Sequence, residues 1–346
     1  MRKVLIALAA ILFLAAPVSA MELEAPPVPE SGEALMPYDT ESFWEGVWSI
    51  VCGAISKLRP DLADGLRTAG SLVGILVLLS AVKAIPGTLE KISEFVGVTC
   101  VSLLLIGTSG SMIRLATDTV TEMSEYGKLL FPVLTAALAA QGGSVTSAAL
   151  YTGTLAFDAI LSSLVSVLLV PMSYILLCLS VVNAATGQEL IGKLRDFIKW
   201  LMTWSMKILL YVFTGYMGIT GVVSGTTDAA ALKATKLAIS GMVPVVGGIL
   251  SDTSEAVLVG AGVVKNAVGV YGLLSVLAVW ISPFLRIGVQ YILLKGVFGL
   301  SSIFPAKQTG GLLKDFSGVM GLLLAMTGMV CLFLLVSVVC FMKGTG

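Results

Sequence analysis

Few residues in this chain could carry chemistry. The sequence contains no histidine, which removes His-based triads, zinc sites with His ligands and a histidine proton relay together. No GxxxxGK[ST] phosphate loop, HExxH, GxSxG or Rossmann glycine pattern occurs. Five cysteines (Cys52, Cys100, Cys178, Cys331, Cys340) show no CxxC spacing, and their odd number does not describe a disulfide framework. The expectation is a protein that is not an enzyme and holds no cofactor and no metal.

What remains are ionisable and polar residues inside apolar runs, where a charge costs several kcal/mol unless it is paired or wet. Asp158 sits between Phe157 and Ala159, deep in such a run, and Lys265 and Asn266 interrupt another. Intramembrane aspartyl chemistry needs two facing aspartates, and only Asp158 lies so deep. These three residues either line a polar pathway or join helices, with Lys265 a candidate partner for Asp158. Arg286 and Lys295 read as ordinary placements near helix ends.

The elements that must position them are apolar. Hydrophobic residues make up 57% of the 346, charged residues only 12%, about half the share in soluble domains, and the mean hydropathy is +0.99. The chain reads as an all-α, polytopic integral membrane protein. Its charges balance at 21 against 21, so membrane lipid is an expected partner and nucleic acid is not. Met1 to Ala20 has a basic start, a short apolar core and a Val-Ser-Ala end, the three parts of a cleavable secretory signal. An acidic, proline-rich exported arm follows over 21–67. Within it Phe43, Trp44, Trp48 and Val51 recur at helical spacing, a stripe suited to the membrane interface or a partner groove. A helix packed on its own membrane domain is the alternative.

The membrane domain, 68–346, divides into about seven spans and two short broken segments. The broken segments are marked by Pro132, Gly142 and Gly143, and by Pro244, Gly247 and Gly248. Irregular backbone at membrane depth is tolerated only where protein or a wet cavity shields it. The two segments suggest an internal repeat, 114–225 and 226–342. Pro171 follows Pro132 by the same 39 residues that separate Pro283 from Pro244, and GKLRDF (192–197) resembles GLLKDF (311–316). If the broken segments cross, the basic runs Lys193–Lys199 and Lys307–Lys314 share one side and the repeats are parallel. If they turn back, the repeats are inverted. The positive-inside tendency favours the first.

Four longer strings carry a resemblance: TGQELIGKLRDFIKW (186–200), TGYMGITGVVSG (214–225), KATKLAISGMVPVVGGILSDTSEAV (233–257) and VVKNAVGVYG (263–272). They are similar to the stage III sporulation protein AE family of endospore-forming bacteria. The resemblance implies a multi-pass protein of the mother-cell membrane surrounding the forespore. It also implies a channel-like complex joining the two cells, with other stage III sporulation proteins, one of them an ATPase, as partners. The family supplies no catalytic residues to carry over. The expected function is thus the membrane core of a sporulation channel or transport complex. A stand-alone secondary transporter, or a scaffold that anchors partners through the arm, are the alternatives.

Overall fold

The computed structural model describes residues 25–37, 42–85, 90–141, 143–242 and 247–343, with side chains except at 90–91 and 218–265. The signal expected over 1–20 lies outside the described residues. Every described element is a helix. A one-turn helix α1 (Glu30–Glu33) leads to α2 (Phe43–Lys57), whose first turn is capped by Ser42 accepting from the Glu45 N–H at 3.3 Å. Pro60, tolerated in a first helical turn, opens α3 (Arg59–Lys83), which buries Gly65, Leu72, Leu76 and Leu79 along one stripe.

Helix α4 (Glu90–Ala140) runs 51 residues without interruption. The expected break at Pro132 is therefore not present: the chain continues helically through the proline and turns only after Ala140. A proline costs its helix one hydrogen bond and crowds the preceding turn. Here the flanking Phe131 is fully buried against Phe333 and Phe341, which holds the segment straight enough to continue.

The run through Pro171 is also continuous. Helix α5 (Ser144–Ser163) passes through a π-helical turn, Leu164–Leu169, into α6 (Val170–Thr186). In that turn the Val170 N–H reaches back five residues to the Val165 carbonyl. The wider turn accommodates the missing Pro171 N–H without ending the helix. Helix α6 closes at Gly187, the one described residue with a positive φ (66°), whose N–H bonds the Asn183 carbonyl at 2.8 Å.

Helix α7 (Glu189–Met242) follows, then α8 (Gly247–Ser301), which runs helically through Pro283, and α9 (Lys307–Lys343). Among the described residues five helices are long and apolar enough to cross a membrane: Arg59–Lys83, Ile92–Ala140, Ser144–Thr186, Asn266–Ser301 and Lys307–Lys343. The broken segment expected around Pro132 is continuous with the span before it, and the runs through Pro171 and Pro283 are each one long helical run. Pro244 lies outside the described residues.

Contacts fix which ends lie together. Lys83, at the foot of α3, pairs with Glu94 on α4 and donates to the Pro305 carbonyl before α9. Arg195, near the start of α7, donates to Asp315 on α9 at 2.6 Å. The feet of α3, α4, α6, α7, α8 and α9 therefore share one end, here the basal end. From it α4 and α9 rise in parallel, with Gly97 beside Thr309 and Gly127 beside Leu334. Helix α8 descends against α9, with Gly269 beside Met342 and Gly310 beside Ser301. The main core lies along these three helices, where Phe131, Phe316 and Phe341 are fully buried. A small second core joins the arm to α8 through Leu35, Ile50, Ala54, Leu274 and Ala278.

Candidate functional site

Asp158 lies on α5, 2% exposed, facing α4. The Ser124 hydroxyl donates to its Oδ2 at 2.9 Å, and the Ser124 and Ser162 hydroxyls are 3.1 Å apart. Lys128 brings its Nζ to 3.8 Å from the same Oδ2 while its side chain stays 55% exposed. The cation recorded beside Asp158 is thus Lys128; the side chain of Lys265 lies outside the described residues. Asn266 is exposed on α8. On the far side of α5, Phe157 packs edge-on against Phe213 at 5.3 Å and tilts against Tyr216 at 5.6 Å. The Tyr216 hydroxyl donates to the Ala149 carbonyl at 3.1 Å, over Gly153, where any side chain would collide with the ring.

Ser124, Lys128 and Ser162 were missed in the sequence. A signal was available: α4 and α5 are antiparallel about the turn near Gly143, and Asp158 lies about as far after it as Ser124 and Lys128 lie before it. A broken segment at that turn, rather than a simple hairpin of two helices, would not give this pairing. The position along the bundle also matters. Ser124 stands about 45 Å along α4 from Glu94 at 1.5 Å per residue, whereas a hydrocarbon core is about 30 Å thick. The cluster is a carboxylate that accepts from one hydroxyl, Ser124, which itself meets Ser162, and that lies beside one half-exposed ammonium.

The broken-helix residues behave differently from one another. Pro132 is inside α4. Gly143 precedes α5, its N–H bonding the Leu138 carbonyl at 3.2 Å, so this glycine makes a tight turn between antiparallel helices. Gly142 and Pro244 lie outside the described residues. Gly247 and Gly248 begin α8, with surroundings that are not described.

The arm stripe is split by its docking. Gly46, Ile50 and Ala54 form the buried face of α2, with Phe43 and Val47 packed partly against the second core. Val51 is half-buried, while Trp44 and Trp48 point away, 76% and 70% exposed. Lys57 donates to the Ala34 carbonyl at 3.3 Å, tying the two arm helices together. Arg286, expected as a helix-end charge, instead joins α8 to Asp61 on α3, at 2.7 and 2.9 Å.

Residues 48–345 match the family described as Stage III sporulation protein AE (spore_III_AE). The chain belongs to that family. It is 23% identical over 227 residues to the Stage III sporulation protein AE of Bacillus subtilis (strain 168), covering 63% of this chain and 57% of that relative. The similarity thus spans less than two thirds of the relative's length. No solved structure matches. Membership gives the chain a role in sporulation, and its apolar helices make it a membrane protein. The region shared with the stage III sporulation protein AE family begins at Trp48. It takes in the bundle, the Asp158 cluster and most of α2, and leaves out Phe43 and Trp44.

Proposed function

We propose that this chain is the membrane core of a sporulation channel or transport complex of the mother-cell membrane facing the forespore. The family supports the sporulation role, and the arrangement of apolar helices supports a core that spans the membrane. Helix pairs α3–α4, α6–α7 and α8–α9 each descend to the basal end and return, with α7 making a sixth crossing. The basal end bears Lys83, Lys193, Arg195, Lys199, Lys307 and Lys314, which by the positive-inside tendency is the cytoplasmic side. The arm then stands on the opposite side, as an exported segment requires. GKLRDF and GLLKDF both start rising helices at that end and meet through Arg195 and Asp315, which supports a parallel repeat.

With no phosphate-cradling loop of its own, the chain draws energy from a partner, and an ATPase on the cytoplasmic side among sibling stage III proteins fits that need. The Asp158 cluster is a helix contact in this reading rather than a lining of the route.

The test is a pull-down from sporulating cells beside solute uptake by the purified chain in vesicles. Co-purification of other sporulation proteins, with no uptake by the chain alone, is expected. Saturable uptake by the chain alone overturns the complex and makes it a secondary transporter. A partner set held only through the arm makes it a scaffold.

A further inference from the structure

Among the described residues, one face of α4 is covered by no other helix. Gly107, Ser111, Arg114, Asp118, Thr121, Glu125 and Lys128 are all exposed and alternate by four and three residues, so they form one straight seam. The seam changes character along its length. At Gly107 and Gly110 a Cβ would meet nothing within 4 Å, so a second backbone can approach closely there. Beside its lower end an apolar groove of about 470 Å³ opens between α3 and α4, lined by Leu78, Val82, Val96 and Cys100 among others. Above Ser111 the seam is charged. Among the described residues Arg114, Asp118 and Glu125 make no ion pair, and Lys128 has only its 3.8 Å approach to Asp158.

We infer that this seam docks a second copy of the chain, α4 against α4. The order of charges carries the argument. Two copies in one membrane share orientation and height, so a two-fold axis along the membrane normal sets their α4 helices parallel with equal residues opposite. Each side chain then meets its own counterpart and residues one turn away. The sequence plus, minus, minus, plus at Arg114, Asp118, Glu125 and Lys128 is self-complementary in that arrangement. Arg114 reaches the second copy's Asp118, Glu125 reaches the second copy's Lys128, and the two-fold repeats both pairs. Below them the glycines admit close contact, and the groove has room for an exposed side chain such as the second copy's Leu103, which is 74% exposed. A face turned to lipid would need no charges, and a face turned only to water would need no glycines or groove.

The test uses the full chain in detergent micelles and lipid nanodiscs. R114D places like charges at both symmetric contacts and is expected to weaken self-association roughly tenfold by light scattering, while R114D/D118R restores it. Arg114 is exposed and makes no ion pair among the described residues, so thermal unfolding of R114D is expected to match the parent and separates lost association from lost folding. In a chain with its five cysteines replaced, Thr121→Cys, which faces its own mate across the axis, is expected to form a disulfide-linked dimer. Leu332→Cys, 49% exposed on α9, is the control. A monomeric parent, cross-linking at Thr121 no greater than at Leu332, or a double variant that stays dissociated overturns the proposal. The face then belongs to lipid or to another protein.

Discussion

Asp158 shows what a buried carboxylate requires: donors first, and a cation second. Ser124 supplies the close donor at 2.9 Å, and Lys128 contributes from a half-exposed position. Asp158→Asn keeps an acceptor for the Ser124 hydroxyl, and Lys128 can turn to water. This variant is expected to retain parent protein level and spore count, read by quantitative immunoblot beside heat-resistant colony counts. Asp158→Leu leaves the buried Ser124 with only Ser162 to satisfy it, an unpaired-group cost of about 1–3 kcal/mol. A lowered unfolding temperature with proportionally fewer spores is expected. A spore defect in Asp158→Asn at full protein level would instead make Asp158 part of a transport route. The residue's burial was legible in the sequence from its apolar neighbours; its partners were not, because they come from another helix whose register only the turn at Gly143 sets.

At the scale of elements, three prolines mark how sequence signals yield to packing. Pro132, Pro171 and Pro283 each sit within a continuous helical run, and at Pro171 the π turn absorbs the misfit. A helix-interior proline costs about 3 kcal/mol in an unadapted helix. Pro132→Ala should therefore leave the fold intact and raise the unfolding temperature of the purified chain. A fall would show that the proline itself sets a needed bend.

The arm helix α2 tests docking in the same way. A Cβ on Gly32 would lie 3.0 Å from the Val279 backbone nitrogen, a contact that cannot yield as a side chain can. Gly32→Val should free α1 from α8 and expose the arm to limited proteolysis, with the bundle intact. Trp44 and Trp48 point outward, so changing both to Ser should leave thermal unfolding unchanged. Burying each aromatic against a partner or lipid interface is worth about 1.5–3 kcal/mol, and spore yield should fall accordingly. Normal yield from the double variant would leave the pair without a docking role.

For the whole molecule, exposed apolar residues away from the α4 seam mark where lipid lies: Ile175 on α6, Tyr211 on α7 and Ile292 on α8. Arg114 begins the charged part of α4 about 30 Å from Glu94, close to the thickness of a hydrocarbon core. The remainder of α4, with α5 and the arm, stands beyond it. A membrane-impermeant maleimide should then label Ser144→Cys, exposed at the start of α5, in intact protoplasts. Ser302→Cys, exposed at the basal end, should label only after permeabilisation. The opposite pattern would invert the molecule. Composition alone determined that the chain is helical and membrane-bound, because a chain with so few charges must hide its backbone polar groups in helices to enter lipid. Long family-like strings determined the family. Tertiary structure alone decided how many helices those apolar runs become, which ends meet and who satisfies Asp158. Prolines, glycine turns and ion pairs act through neighbours distant in sequence, and a proline breaks a helix only where those neighbours fail to hold it.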